Sequence, residues 1–138
     1  YMPTKEMGGG SGLKYAASSI IYLSKKKDKE GTEVVGNIIH CKTQKSRLTV
    51  ENKMVDVRLG YHSGIDKFYG LLEFGEKHGI FNKSGNRYEI KGKMLYGKSI
   101  YDDPEKYFNE QVMIALELAA KKEFLYGEVD QDIPEDIQ

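Results

Sequence analysis

The chain has a single cysteine, Cys41, in 138 residues, so no internal disulfide framework can hold it together. One thiol fits a reducing compartment, and a cytoplasmic location is the expectation. No apolar run approaches 18 residues, so no stretch reads as a membrane span or a signal peptide. His40, His62 and His78 share no metal-ligand spacing, and one cysteine cannot complete a site with them. There is no G-x-x-x-x-G-K-[ST] pattern, so the chain cannot build its own phosphate loop. Nothing in it points to ordinary catalysis. The first residue is Tyr1 rather than Met, which suggests numbering that begins inside a longer polypeptide.

What is present is enough for one folded domain, or for a piece of a larger one: 39% apolar and 30% charged residues. The net charge of zero hides an asymmetry. Residues 1–98 carry 18 Lys/Arg against 10 Asp/Glu, and residues 99–138 carry 3 against 11. A basic body of +8 and an acidic end of −8 suggest a polyanion partner and a tail that competes with it. Chance clustering on solvated faces would look the same.

Residues 7–15 are the densest signal. Gly8, Gly9 and Gly10 lead through Ser11 into Gly12-Leu13-Lys14-Tyr15-Ala16-Ala17. Glycine lets the backbone turn with positive φ and come close to another molecule. Ser11 is expected as the N-cap of about a turn and a half of helix, whose free N–H groups suit phosphate. Tyr1 to Gly10 is expected to be a mobile loop.

The next residues alternate as strands. Ser19 to Ser24 is β-branched and apolar, Lys25 to Gly31 reads as a charged turn, and Glu33 to Arg47 reads as a long strand. Lys45 and Arg47, two apart at its end, are expected on one face, where an anion would relieve their repulsion. A solvated strand end is the alternative. Met54 to Leu59 is a third strand, so three antiparallel neighbours are expected.

Ile65 to His78 switches to helical period, with Gly79 as its C′ residue. Asn82 to Asn86 reads as a turn, and residues 87–91 and 93–98 as a hairpin around Gly92. Lys83, Lys91, Lys93 and Lys98 make this unit basic. Asp103-Pro104-Glu105 is expected to start one helix running to about Lys122. Five acids and no base after residue 127 predict a disordered tail.

Three blocks together resemble the RecA-family recombinases. Met7 to Ser18 resembles the end of that family's second DNA-binding loop and its following helix. Val34-Val35-Gly36, followed by Lys45-Ser46-Arg47, resembles the strand ending in Lys-x-Lys. Ile65 to Leu72 and Lys83 to Tyr88 resemble the C-terminal domain. The likeness covers roughly residues 5–122, and the Lys-Ser-Arg version with an acidic tail looks closer to the phage UvsX-type proteins.

The resemblance implies an α/β chain, mixed α+β as a fragment. Residues 1–64 would be the C-terminal strands of a RecA-type ATPase core. Residues 65–126 would be a small basic helix–hairpin–helix domain, and 127–138 the acidic tail. It implies part of an ATP-dependent strand-exchange recombinase that forms homo-oligomeric filaments on single-stranded DNA and pairs with duplex DNA. ATP and Mg2+ would be cofactors of the whole filament, not of this stretch alone, and a phage protein would act in the bacterial host cytoplasm. Gly8, Gly9, Gly10 and Ser11 would meet DNA phosphates. Lys14 and Tyr15 would link that loop to the nucleotide state. Lys45 and Arg47 would reach the ATP phosphates of the adjacent protomer, and Lys83 and Lys98 would admit duplex DNA. The family's phosphate loop and catalytic glutamate lie upstream of these blocks, so this stretch alone should be inactive and residues 1–64 only marginally stable. A stand-alone, non-enzymatic DNA-binding module is the alternative, and an interaction protein with no nucleic-acid role a third.

Overall fold

The computed structural model describes residues 7–127. The expected acidic tail, from residue 128 on, and the first six residues of the expected loop lie outside that range. No described helix is long and apolar enough to cross a membrane.

The described residues form a mixed α/β fold. A short helix α1 (Gly10–Ala16) leads into β1 (Ser19–Glu30), β2 (Glu33–Ser46), β3 (Met54–Gly60) and β4 (Gly64–Ile65). These pair in sequence order as one antiparallel sheet. The three expected strands are therefore neighbours, with a two-residue fourth added. The charged turn is corrected: residues 25–30 continue β1, and Gly31 at φ +62° makes the turn. Lysines suit an edge strand, because they remain solvated and discourage pairing with other chains. Gly36 sits opposite Gly60, where a Cβ would fall on the Leu59 carbonyl oxygen, so the close β2–β3 approach requires glycine.

Register assigns the two faces of this sheet. Ile21, Leu23, Ile39, Cys41, Val55, Val57, Leu59 and Ile65 share one face, since directly opposed residues point the same way. That face is apolar and open: Ile21, Leu23 and Ile65 are 57%, 65% and 69% exposed. The other face carries His40, Asp56, Arg58 and Asp28. Arg58 Nε donates to Asp28 Oδ2 at 2.7 Å, and His40 Nδ1 lies 2.5 Å from Asp56 Oδ1.

The remaining elements build a lobe: α2 (Leu71–Lys77), a second sheet of β5 (Asn82–Ser84), β6 (Arg87–Ile90) and β7 (Lys93–Tyr96), then α3 (Gly97–Asp102), α4 (Pro104–Tyr107) and α5 (Glu110–Phe124). Its core is Leu72, Phe81, Tyr88, Ile100, Phe108 and Leu116. Phe108 stacks on Phe68 at 5.4 Å and meets Phe81 edge-on at 5.8 Å.

Four expectations for this region are corrected. The helix over Ile65–His78 shrinks to Leu71–Lys77. Ile65 pairs with Leu59, Asp66 Oδ1 accepts from the Phe68 N–H in an Asx turn, and Gly70 at φ +80° starts the helix. The Asn82–Asn86 turn is a strand with its bend at Gly85–Asn86, so the hairpin is part of a three-stranded sheet. The helix–hairpin–helix outline is replaced by one helix, that sheet and three further helices. The long helix from Asp103 breaks at Phe108, whose ring turns into the core. Asp103 makes no side-chain cap, whereas Asn109 accepts from the Val112 N–H at 3.0 Å and starts α5.

Sheet and lobe meet at one corner. The Val50 N–H donates to the Phe124 carbonyl at 2.7 Å, and Thr49 bridges Leu125. Beside them the Glu123 carboxylate, 10% exposed, accepts from Lys77 and from His78 Nε2 at 3.2 Å and faces Lys53 Nζ at 3.8 Å. The Lys77 contact, then His78 and Lys53, hold its pKa below the usual carboxylate value despite burial.

A carboxylate held low stabilises the fold above its unfolded pKa, and that contribution is lost as pH falls through the folded value. Glu123→Gln should therefore cost about 1–2 kcal/mol at neutral pH, from lost charged hydrogen bonds. Urea titrations of the two proteins should converge as pH drops below the ordinary carboxylate range. Gly75→Ala should destabilise the lobe, because a Cβ there overlaps the Phe81 ring and crowds Leu116 at 3.3 Å. We expect a net loss of about 1–2 kcal/mol in thermal denaturation, despite alanine's better helix propensity.

Candidate nucleic-acid interface

The glycine stretch forms an exposed lead-in to α1. Gly9 and Gly10 adopt φ +98° and +77°, a left-handed pair that residues with side chains rarely accept. Gly9, not Ser11, is the N-cap, and no side chain caps this end. The helix begins two residues earlier than the serine rule places it, because Gly9 turns the chain without a side-chain bond. Gly8, Gly9, Gly10 and Ser11 are exposed, as are Leu13 and Tyr15, and α1 buries no residue at all.

The other end of α1 is tied to the sheet. Lys45 Nζ donates to the Lys14 carbonyl at 2.7 Å and to the Tyr15 carbonyl at 3.1 Å. A helix leaves its last carbonyls unpaired and its C-terminus partly negative, so an ammonium group there satisfies both needs. The register brings it there: a shift between Ile20 and Ile21 places Lys45 opposite Ile20, beside the point where α1 runs into β1. Sequence spacing alone gave no sign of this contact, since 30 residues separate the partners.

The expected face shared by Lys45 and Arg47 does not form as an unbroken strand pattern. β2 ends at Ser46, and Arg47 lies just beyond it, exposed, with its N–H donating to the Ser18 carbonyl at 3.1 Å. Ser46 is buried and ends the strand: its Oγ accepts from the Leu48 and Thr49 N–H groups at 3.2 and 2.9 Å. Lys45 and Arg47 thus flank Ser46, the first engaged by α1 and the second exposed.

Lys83 and Lys98 lie on the lobe. Lys83, on β5, has its Nζ 5.4 Å from the centroid of the Tyr88 ring. Lys98, in the first turn of α3, lines a groove of about 1340 Å³ between the polar sheet face and the lobe. Asp56, Arg58, Glu73 and Tyr101 also line it. Tyr101 is fixed there: its hydroxyl donates to Glu73 at 2.9 Å and accepts from the Leu72 N–H at 3.2 Å, and burial pushes its pKa up. Two residues missed in the sequence stand on the outer face of the lobe sheet. Arg87 sits over the Tyr96 ring at 4.6 Å and donates to its hydroxyl at 2.8 Å. Their signal was available only once register was known. Among the described residues no group of His, Cys, Asp and Glu could hold a metal ion.

With this geometry in view, the chain is similar to RecA from Streptomyces rimosus. The two are 36% identical over 88 residues, which is 63% of this chain and 23% of that protein. The chain thus shows distant, partial homology to the RecA-family recombinases and spans about a quarter of the length of the curated relative it matches. No protein-family model matches it. The mixed α/β fold is consistent with a RecA-like domain.

Lys45→Met should fray the last turn of α1 and leave the sheet intact. Losing the two carbonyl bonds is worth about 1 kcal/mol. Hydrogen exchange at the Ala17 amide, which donates to the Leu13 carbonyl, should quicken about fivefold, while amides in β2 and β3 stay unchanged.

Proposed function

We propose that this chain is the DNA-loop and C-terminal part of an ATP-dependent strand-exchange recombinase of the UvsX type. The observation that carries the reading is the bond between Lys45 and the last turn of the glycine-led helix. It joins two segments that the resemblance assigns to different ligands, DNA for residues 8–11 and a neighbour's ATP for residues 45 and 47. The partial homology to RecA supports the assignment.

In this reading residues 1–64 belong to the ATPase core and 65–126 to a small basic domain. Gly8, Gly9, Gly10 and Ser11 meet the backbone of single-stranded DNA in a homo-oligomeric filament. An ammonium group has three N–H donors, and Lys45 uses two on α1, so one remains for a phosphate oxygen. Arg47 would add a bidentate donor. Lys14 and Tyr15, whose carbonyls hold Lys45, become the connection between DNA loop and nucleotide. ATP and Mg2+ belong to the assembled filament, where another protomer supplies the phosphate loop. Lys83 and Lys98 would receive duplex DNA. The exposure of Lys83 and the lobe's own core also favour a second reading, a stand-alone DNA-binding module.

Nucleotide separates the two. In a polypeptide that also carries the phosphate loop, Lys45→Ala should abolish DNA-stimulated ATP hydrolysis while circular dichroism shows the fold intact. Unchanged hydrolysis would refute the in-trans role and leave the module reading.

A further inference from the structure

The groove between the polar sheet face and the lobe has one apolar wall. From α5 it takes Met113, Leu116, Ala120 and Phe124, and from α2 Leu71 and Phe74. On each helix these stand three or four residues apart, so they share a face. Leu116 is buried in the core, and the other five are only half-buried. The two helices touch, so their faces make one apolar furrow, and Met113 gives it an adaptable surface. At about 1340 Å³ the groove exceeds small-molecule sites, which run from about 300 to 1,000 Å³. A stretch of polypeptide suits it better.

The free charge around the furrow is negative. Asp56, Asp66, Glu73, Asp102, Glu117 and Glu123 line the groove against Lys53, Arg58, Lys77 and Lys98, a net of −2 with His40 neutral. Three of the four cations are already engaged. Lys53 and Lys77 face Glu123, and Arg58 faces Asp28 and Asp66. Among the described residues Lys98 has no ion-pair partner, and neither do Glu73 and Asp102. Glu117 has Lys121, four residues on, and both side chains stay exposed. The Tyr101 hydroxyl fixes the Glu73 carboxylate in place. An apolar furrow bordered by carboxylates repels a phosphate backbone and complements a cationic amphipathic peptide. The chain's own last residues do not answer that description, since residues 128–138 carry five acids and no base.

We infer that this groove binds a basic amphipathic segment of a partner protein, its apolar residues on the α2–α5 furrow and its cations toward Glu73, Asp102 and Glu117. The inference is independent of the DNA reading, which uses Lys98 of the same groove for duplex phosphates. The two give Lys98 opposite effects: it repels the segment and attracts a duplex.

The test uses the full chain and a fluorescent peptide of four helical turns, with leucine on one face and lysine on the other, in fluorescence anisotropy at low salt. Copies with glutamate for lysine and with serine for leucine serve as controls. The lysine peptide should bind, and each control should bind at least about tenfold more weakly. Asp102→Lys combined with Glu117→Lys, both at exposed positions, should weaken the lysine peptide about tenfold, with circular dichroism unchanged. Lys98→Ala should tighten it about threefold. Glu89→Lys, on the lobe sheet and outside the groove, should leave it nearly unchanged. A lysine peptide that does not bind, a glutamate copy that binds equally, a double variant without effect, or a Glu89→Lys loss as large as that of the pair would overturn the inference. Duplex DNA in the same assay keeps the two readings apart. If Lys98→Ala weakens duplex binding in those same cases, the DNA reading stands without the groove site. If it tightens the peptide and leaves the duplex unchanged, the groove site stands and Lys98 has no role in duplex entry.

Discussion

Sheet and lobe meet around one nearly buried carboxylate. Glu123 stands near the end of α5, yet its oxygens serve α2 through Lys77 and His78 and the β2–β3 turn through Lys53. Three segments far apart in sequence converge on it. A charge so enclosed would be costly alone, and it is tolerated because cations surround it. The groove follows from this corner. With sheet and lobe joined at residues 49–53 and 123–125, the polar sheet face stands opposite α2, α3 and α5, leaving the space that Lys98 and Tyr101 line.

The two halves solve the problem of burial differently. The lobe closes its core around six buried side chains, and its aromatic rings pack on each other. The sheet does not close. Its apolar face has Ile21, Leu23 and Val55 in the open, and Ile20 is the single strand residue in the buried hydrophobic set for residues 19–65. A sheet with one apolar face normally packs that face against another layer. Its ladder therefore carries most of its local order, chiefly the long β1–β2 pairing.

Strands were legible in the sequence where alternation was clean. Glu33–Ser46 and Met54–Gly60 follow the expected pattern almost to the residue, because one face is apolar and a slip would reverse it. The hairpin at Lys91-Gly92 was equally plain. Helix limits were less so, and the reasons are local. Apolar spacing from Ile65 to Phe74 fits a helix, but the Asp66 carboxylate accepts from the Phe68 N–H and Gly70 turns left-handed, which outweighs period. At Asp103-Pro104 the start signal was real and the length was not: burial of Phe108 breaks the helix, and Asn109 restarts it. In the candidate interface the glycines, Lys45 and the lobe lysines could be chosen from residue type and resemblance. The α1–Lys45 bond and the Arg87–Tyr96 layer could not, since each depends on strand register.

That bond is also one of the few that hold α1 in place. A helix of seven residues is too short to be stable alone. Packing does not hold it, because it buries nothing. What remains is its attachment to β1, the Arg47 N–H on the Ser18 carbonyl, and the Lys45 ammonium on its last turn. Displacing α1 therefore disturbs little except Lys45, and drawing Lys45 toward an anion disturbs little except α1. Coupling between two sites requires an element that both can bias. In the proposed reading that element would be this lightly held helix and the tie this one side chain, with Gly9 and Gly10 as a lead-in that can turn without strain.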